Sequence, residues 1–195
     1  MTVRAMSLFF ALLAVGANLV VVAAVIGRLG RAIPAIAALR ATVVDEVRPY
    51  ALGLAAFVAS VATAGSLYYS EVAGFPPCTL CWVQRGFMYP LALVLVVAAA
   101  RGTWRVRTGA RVWALLGGAV SVWHLLVERF PALEGSAVCD PANPCSIRWV
   151  QELGFITIPY MALSAFLLAA TLLWVDPPHD QSRADDARTE TRETR

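Results

Sequence analysis

A chain of 195 residues that is 59% hydrophobic, with a mean hydropathy of +0.66, is too apolar for a water-soluble domain. Its formal net charge is +3, and it contains no lysine, so all of its basic residues are arginines. These arginines are clustered between long apolar runs, which argues against nucleic acid as a partner and indicates a multi-pass protein in contact with membrane lipid.

The first apolar run covers residues 6–27 and is long enough to cross a hydrocarbon core of about 30 Å. The competing interpretation is a secretory signal peptide, whose apolar part spans only about 7–15 residues and ends in a small-residue cleavage site. We therefore predict an uncleaved helix over residues 1–27. A basic linker, residues 28–48, follows it and is predicted to contain a short helix at the cytoplasmic interface.

Four further spans are predicted within a core of residues 49–175. They cover residues 49–69, 81–100, 112–127 and 155–175, and the last of them carries Pro159 near its first turn, where proline is tolerated. The charged segment 176–195 lacks apolar periodicity and is predicted to be a disordered cytoplasmic tail.

The distribution of arginines predicts the orientation of these spans. Residues 28–48, 101–111 and 176–195 hold most of the arginines, whereas the opposite side holds only Arg4, Arg129 and Arg148. The excess of arginine on cytoplasmic loops places both cysteine-bearing loops outside the cytoplasm. All four cysteines then face an oxidising compartment, where disulfide chemistry is expected.

Cys78 and Cys81 form a C-x-x-C pair at the start of a span. Pro76 and Pro77 cannot continue a helix, so Cys78 is predicted to lie outside the helix and to be accessible. Arg85 lies one helical turn after Cys81, and its guanidinium and the helix dipole both favour a thiolate at Cys81. This arrangement is typical of thiols that exchange rapidly.

Two other roles fit the four cysteines less well. Static disulfides could staple the outer loops, but such bridges do not need a C-x-x-C pair beside an arginine. A zinc site built from four thiols is disfavoured because Cys139 and Cys145 are spaced more widely than usual and no nearby histidine suggests a further ligand.

The motifs together resemble the DsbB/BdbC family of disulfide bond formation proteins. They are CTLCWVQR at 78–85, MYPL at 88–91, Cys139 followed by PCS at 144–146, and GFITIP at 154–159. The resemblance covers residues 49 to about 175 and implies an all-α membrane protein with a four-helix transmembrane bundle of DsbB type. The extra N-terminal transmembrane helix departs from the four-helix core of that family.

The resemblance also implies a path for electrons. A soluble thioredoxin-fold (DsbA-like) dithiol oxidase would form a mixed disulfide with Cys139, and Cys145 would then exchange with Cys78. Cys81 would pass the electrons to a membrane quinone, either menaquinone or ubiquinone. A loop rich in turn residues, among them Gly135, Pro141 and Pro144, is expected to bring the outer pair to Cys78.

The predicted quinone contacts are Arg85 and His124. Arg85 resembles the quinone-contacting arginine of the family, although an arginine this close to a helix start could also reach the outer headgroups. His124 could donate a hydrogen bond to a quinone carbonyl, or could be satisfied by another helix. The aromatic residues Trp82, Tyr89, Trp113, Trp123 and Trp149 are interpreted as interfacial anchors, and Gln84 is given no chemical role.

Three functions therefore remain distinguishable from the sequence. The leading hypothesis is a quinone-dependent thiol-disulfide oxidoreductase of a bacterial cell membrane, with extracytoplasmic redox loops that support disulfide formation in exported proteins. The second is a membrane reductase that carries electrons outward through the same thiols. The third is a membrane subunit whose outer loops are held by purely structural disulfides.

Overall fold

The computed structural model describes residues 2–134 and 139–176, and this part of the chain is built from helices. The predicted tail and the turn residue Gly135 lie outside the described residues, apart from Asp176 at the start of the tail. The helices are α1 (Val3–Leu29), α2 (Pro34–Val47), α3 (Ala51–Leu67), α4 (Thr79–Arg101), α5 (Arg107–Arg129) and α6 (Ile158–Leu172). The predicted all-α fold is therefore confirmed.

Four helical segments are long and apolar enough to cross a membrane: Val3–Ala32, Pro34–Val72, Thr79–Arg101 and Arg107–Arg129. Helix α1 has 27 residues and is about 40 Å long at 1.5 Å per residue, which exceeds a hydrocarbon core of about 30 Å.

Helix α6 differs from its prediction, because it is shorter than the span 155–175. It has 15 residues and begins only at Ile158, since Thr157 is extended and Pro159 occupies the first turn. Residues 152–156 form a short turn before the helix, with Glu152 and Ile156 paired by backbone hydrogen bonds.

The basic linker contains the predicted short helix, α2. No α2 side chain is buried, and a single 3₁₀ turn, Arg48–Tyr50, joins α2 to α3. The backbone of Val47, Arg48 and Tyr50 stays in the right-handed helical region, so Pro49 tightens the helix without ending it. The position of α2 at a membrane interface stays a prediction.

Small residues allow the helices to approach closely. Helix α3 packs on α4 and α6 through a row of buried alanines, and α5 packs on α6. A Cβ atom on Gly117 of α5 would collide with the ring of Phe166 on α6, which is itself only 1% exposed. Close contact through glycine and alanine is the usual way in which helices associate within a bilayer.

The two ends of the bundle differ in chemistry. At one end, the guanidinium groups of Arg28 and Arg111 lie over the ring of Trp174, at 4.5 and 4.6 Å from its centroid. At the other end lie the cysteines and a series of aromatic contacts that includes the stacked rings of Phe75 and Trp149. Arginines near the ends of two different helices, α1 and α5, therefore meet at the end of the bundle opposite the thiols.

Candidate thiol and redox site

Cys78 caps the amino terminus of α4. Its backbone is extended, its Sγ accepts the backbone N–H of Cys81 at 3.3 Å, and the helix begins at Thr79. The Sγ atoms of Cys78 and Cys81 are 2.9 Å apart as free thiols, close enough for one to donate a hydrogen bond to the other. The C-x-x-C spacing thus places both sulfur atoms on the first turn of the helix.

The prediction that Cys78 is accessible is wrong, because Cys78 is only 5% exposed. The loop after α5 folds over it, and Cys78 packs in one buried cluster with Leu80, Val127 and the pair Cys139 and Cys145. Cys81 is the more exposed of the two thiols.

Cys139 and Cys145 are joined in a disulfide within this covering loop. Both are buried, with 4% and 1% of their surface exposed. The Asn143 side-chain amide donates to the carbonyl oxygen of Pro77 at 3.0 Å, which fastens the loop to the segment that leads into α4. The structure therefore brings all four predicted cysteines together, one pair as thiols and the other as a disulfide.

A carboxylate holds the same loop from the other side. Glu134 accepts a hydrogen bond from the Cys145 backbone N–H and another from the Ser146 hydroxyl at 2.6 Å. Arg148 further along the loop donates to the backbone oxygen of Glu128 at 2.6 Å. These charged anchors add to the polar contact made by Asn143.

His124 of α5 connects the two cysteine pairs. Its Nε2 lies 3.7 Å from Cys78 Sγ and 3.1 Å from the carbonyl oxygen of Cys145. Its Nδ1 lies 3.2 Å from Oε1 of Gln84, whose amide nitrogen donates to the Ser121 hydroxyl at 2.8 Å. Both ring nitrogens therefore make polar contacts with other segments of the chain.

Electrostatics favour a thiolate at Cys78. The hydrogen bond from the Cys81 thiol lowers the pKa of Cys78 most strongly, and His124 lowers it further, to about 5 against an ordinary value of 9.0. The sequence had predicted the thiolate at Cys81. The structure differs because Cys78, as the cap residue, accepts hydrogen bonds from the Cys81 thiol, from His124 and from the Cys81 backbone N–H.

Arg85 does not extend to the headgroups, since it is buried with 9% of its surface exposed. Its Nε donates to Ser66 Oγ at 3.0 Å and its Nη2 donates to the Ser66 carbonyl oxygen at 3.0 Å. A guanidinium carries five N–H donors, so others remain for a ligand. Arg85 and Cys81 line the same cavity, as their spacing of one helical turn predicts.

This cavity, of about 220 Å³, is largely apolar and lies between α1, α3, α4 and α6. At its thiol end the cavity is lined by the polar residues Cys81, Gln84, Arg85 and Ser66. Apolar sites with a few converging polar groups are typical of small-molecule binding sites. An apolar molecule with carbonyl oxygens would fit this set of donors.

His124, the second predicted quinone contact, does not line this cavity. It lies behind Gln84, in a smaller pocket with Cys78, Cys81 and Glu128. The structure therefore supports the alternative in which His124 is satisfied by a neighbouring helix. A direct hydrogen bond from His124 to a quinone is not favoured by this geometry.

Sequence reasoning missed several residues of the site. Gln84 received no role, yet it orients His124, and Trp149 was interpreted only as an anchor, yet it lines the cavity. A signal for Gln84 was present, because Cys81, Gln84, Arg85 and Met88 follow the i, i+3, i+4, i+7 spacing of one helix face. Nothing in the sequence indicated that α1 lines the cavity.

The four-thiol zinc site is inconsistent with the disulfide between Cys139 and Cys145, since bonded sulfur atoms are not thiolate ligands. The prediction that no histidine lies near the thiols is wrong. A histidine does lie nearby, and the possible ligand atoms of Cys78, Cys81 and His124 are within 4.8 Å of one another.

Residues 48–176 match the family model described as Disulfide bond formation protein DsbB. Among curated proteins, the chain is 44% identical over 111 residues to Disulfide bond formation protein C of Bacillus subtilis strain 168, covering 57% of this chain and 80% of that protein. It is 34% identical over 131 residues to Probable disulfide formation protein C of Bacillus cereus, covering 67% and 94%. No solved structure is significantly similar to the chain.

Proposed function

Because the chain belongs to the DsbB family of disulfide bond formation proteins, we propose that it is a membrane thiol–quinone oxidoreductase. In this role it reoxidises an extracytoplasmic, DsbA-like dithiol oxidase and passes the electrons to menaquinone or ubiquinone. Disulfide oxidoreductase activity follows from the family itself, whereas the partner and the acceptor are the proposal.

The observation that carries the proposal is the position of Cys81. Its thiol pairs with Cys78 on one side and lines the apolar cavity on the other. Cys78 in turn packs against the loop disulfide. A continuous series of sulfur atoms thus leads from the loop to a cavity suited to an apolar acceptor.

Each complete thiol–disulfide exchange transfers two electrons from a dithiol to a disulfide. A thiolate of the partner attacks Cys139 and breaks its bond to Cys145, and the second partner thiol then releases the oxidised partner. The Cys145 thiolate attacks Cys78 of a Cys78–Cys81 disulfide, and Cys139 resolves the new bond, which restores the loop disulfide. Cys78 and Cys81 are then left as thiols, which is the pairing in the structure.

His124 assists the internal exchange. When Cys139 attacks Cys145 Sγ, the Cys78 sulfur leaves with the electron pair of the broken bond, and the imidazole Nε2 at 3.7 Å donates a hydrogen bond to it. Gln84 fixes the ring through Nδ1 and so directs Nε2 toward the sulfur and the Cys145 carbonyl. The low pKa of Cys78 makes it a good leaving group and a stable thiolate.

A bound quinone would supply an oxidant that takes up two electrons and two protons. Arg85 would bind a carbonyl oxygen through the N–H groups not used by Ser66, and Cys81 would face the ring from one turn away. The apolar walls would exclude water from the thiol. Since about 30 mV corresponds to roughly 1.4 kcal/mol for two electrons, the acceptor must be the more oxidising couple.

The orientation is part of the proposal. The clustered arginines would face the cytoplasm of a bacterial cell, and the thiol end would face the oxidising compartment. Arg28 and Arg111 both contact Trp174 at the end opposite the cysteines. This contact supports the assignment, because arginines from different parts of the chain then lie on the same side of the membrane.

The two alternatives fit the geometry less well. A purely structural bridge has no need of a free thiol pair beside it, whereas Cys78 and Cys81 are free and Cys78 packs against the Cys139–Cys145 bond. An outward reductase would use the same residues and would differ only in the direction of electron transfer. A test must therefore report the direction of electron flow.

The test mixes the purified protein with a reduced thioredoxin-fold oxidase and a soluble quinone analogue without oxygen, and follows quinone absorbance. We expect one quinol for each partner disulfide formed. Cys81→Ser should abolish quinol formation yet still permit one stoichiometric oxidation of the partner by the loop disulfide. Cys139→Ser should abolish partner oxidation, and its free Cys78 and Cys81 thiols should yield at most one quinol per protein.

The reverse mixture, quinol with oxidised partner, separates the two enzymes. Faster electron transfer toward the partner than toward the quinone would contradict the proposal and support the reductase. Normal partner oxidation in all single cysteine variants would support a structural role instead.

A further inference from the structure

Helix α1 lies outside the part of the chain that matches the family, which begins at residue 48. It nevertheless packs against the bundle along its length. Near its start, Phe10 lies 5.9 Å from the ring of Tyr69, and near its end Arg28 lies over Trp174 of the segment after α6. Helix α1 is therefore held at both ends of the bundle.

A polar contact fixes the middle of α1. The Asn18 amide nitrogen lies 2.9 Å from Ser164 Oγ and 3.2 Å from the Tyr160 hydroxyl, both on α6, and 2.9 Å from the carbonyl oxygen of Ala14. A hydrogen-bonded amide within an apolar span fixes both the rotation and the height of a helix against its neighbour. The same face of α1 is thus always turned toward α6.

The face of α1 that Asn18 turns toward α6 also forms a wall of the cavity lined by Cys81 and Arg85. Four α1 residues line it: Phe10, Leu13, Ala14 and Ala17. Phe10 also covers Gly65 of α3 so closely that an added Cβ atom would lie 3.1 Å from its ring. Without these side chains, the cavity would open between α3 and α6 toward the lipid.

We propose, building on the function proposed above, that α1 is the lipid-side wall of the quinone site and determines which quinones enter it. Phe10 closes the thiol end, beside the position expected for the ring. Ala14 and Ala17 leave space for an isoprenoid tail between α1 and α6, and Leu13 contacts that tail. Quinone selectivity then depends on residues outside the four-helix core.

The test uses the full-length protein and compares KM for two quinones with the same ring, one with a short tail and one with a long tail. Ala14→Leu places a larger side chain in the cavity and should raise KM for the long-tailed quinone by roughly tenfold or more. The matched control is Ala23→Leu, an exposed position on the same helix, which should leave KM unchanged.

Because Ala14 is only 5% exposed, the larger side chain could also disturb packing. Leu13→Ala avoids this problem, since Leu13 is 45% exposed and its truncation removes a cavity contact alone. It should also raise KM for the long-tailed quinone. Each variant must oxidise the partner once without quinone at the wild-type rate, because that step uses only the loop disulfide.

A second measurement does not depend on turnover. A photoreactive azidoquinone should label the tryptic peptide between Arg4 and Arg28, and unlabelled quinone should suppress the labelling. Labelling confined to α3, α4 and α6, or α1 labelling that free quinone does not suppress, would overturn the assignment of α1. A wild-type protein that reduces no quinone would overturn the proposed function, and this inference with it.

Discussion

The Nε2 atom of His124 lies 3.7 Å from the Sγ atom of Cys78, on a helix 46 residues further along the chain. The contact sits beneath the loop disulfide, and both residues are almost fully buried. A low-pKa sulfur beside an imidazole is the usual arrangement of an activated thiol. It makes the ionisation of Cys78 the first property to test.

The Cys78 thiolate should persist to acid pH. In the reduced protein, its ultraviolet absorbance should fall with a midpoint near the pKa of about 5. His124→Gln should move the midpoint upward, and Cys81→Ala should move it further, because the Cys81 hydrogen bond is the larger cause. Cys78→Ser identifies the signal, and an unchanged midpoint in both variants would contradict this account.

The same shift predicts a pH dependence of stability. The folded state lowers the pKa of Cys78, so it favours the ionised form and binds fewer protons than the unfolded state. The resulting stabilisation is complete above the ordinary pKa of 9.0 and is lost as the pH falls toward 5. Denaturation of the reduced protein across this range, with Cys78→Ser as the control, should show the difference.

Arg85 should bind the acceptor through directed hydrogen bonds and not through charge alone. Arg85→Met should raise KM for quinone by roughly tenfold or more, because hydrogen bonds to charged groups contribute about 1.5–3 kcal/mol. Arg85→Lys should restore only part of the loss, since a lysine lacks the planar donor fork. Arg101→Met, exposed at the other end of α4, should leave KM unchanged.

Glu134 should control the reactivity of the loop disulfide. Glu134→Gln weakens the hydrogen bonds to Cys145 and Ser146, so the loop should open more often. Reduction of the Cys139–Cys145 bond by a small thiol should then accelerate by about tenfold, in line with the loss of one charged hydrogen bond. The exposed Glu71→Gln is the control, and equal rates in the two variants would argue against the anchor.

Gly117 should tolerate no side chain. Gly117→Ala brings a Cβ atom against Phe166 and should cost about 1–3 kcal/mol of stability through overpacking. Gly109→Ala on the same helix meets no atom within 4 Å and should be neutral or slightly stabilising. Thermal unfolding in detergent compares the two, and similar melting temperatures would contradict close packing of α5 on α6.

The helices were predictable because hydrophobic length and proline placement are local signals. The apolar run from 6 to 27 appears in the structure as α1, and Pro159 marks the first turn of α6. The C-x-x-C pair and Arg85 were predictable for the same reason, since one turn of helix fixes their spacing.

The remaining features depend on contacts between distant segments. The burial of Cys78 results from a loop more than 60 residues later, and the role of Gln84 requires His124 from another helix. The placement of α1 depends on Asn18 meeting Tyr160 and Ser164. Periodicity and composition carry no information on which helix faces which, so these features needed the structure.

The burial of the Cys139–Cys145 bond also restricts the source of electrons. Small reductants such as glutathione reach sulfur atoms that are only 4% and 1% exposed when the loop opens, so they should be poor donors even where they are abundant. A folded protein that lifts the loop by its own binding contacts has no such barrier. If the acceptor is the proposed quinone, shielding the bond in this way would spare quinone from futile consumption by stray thiols.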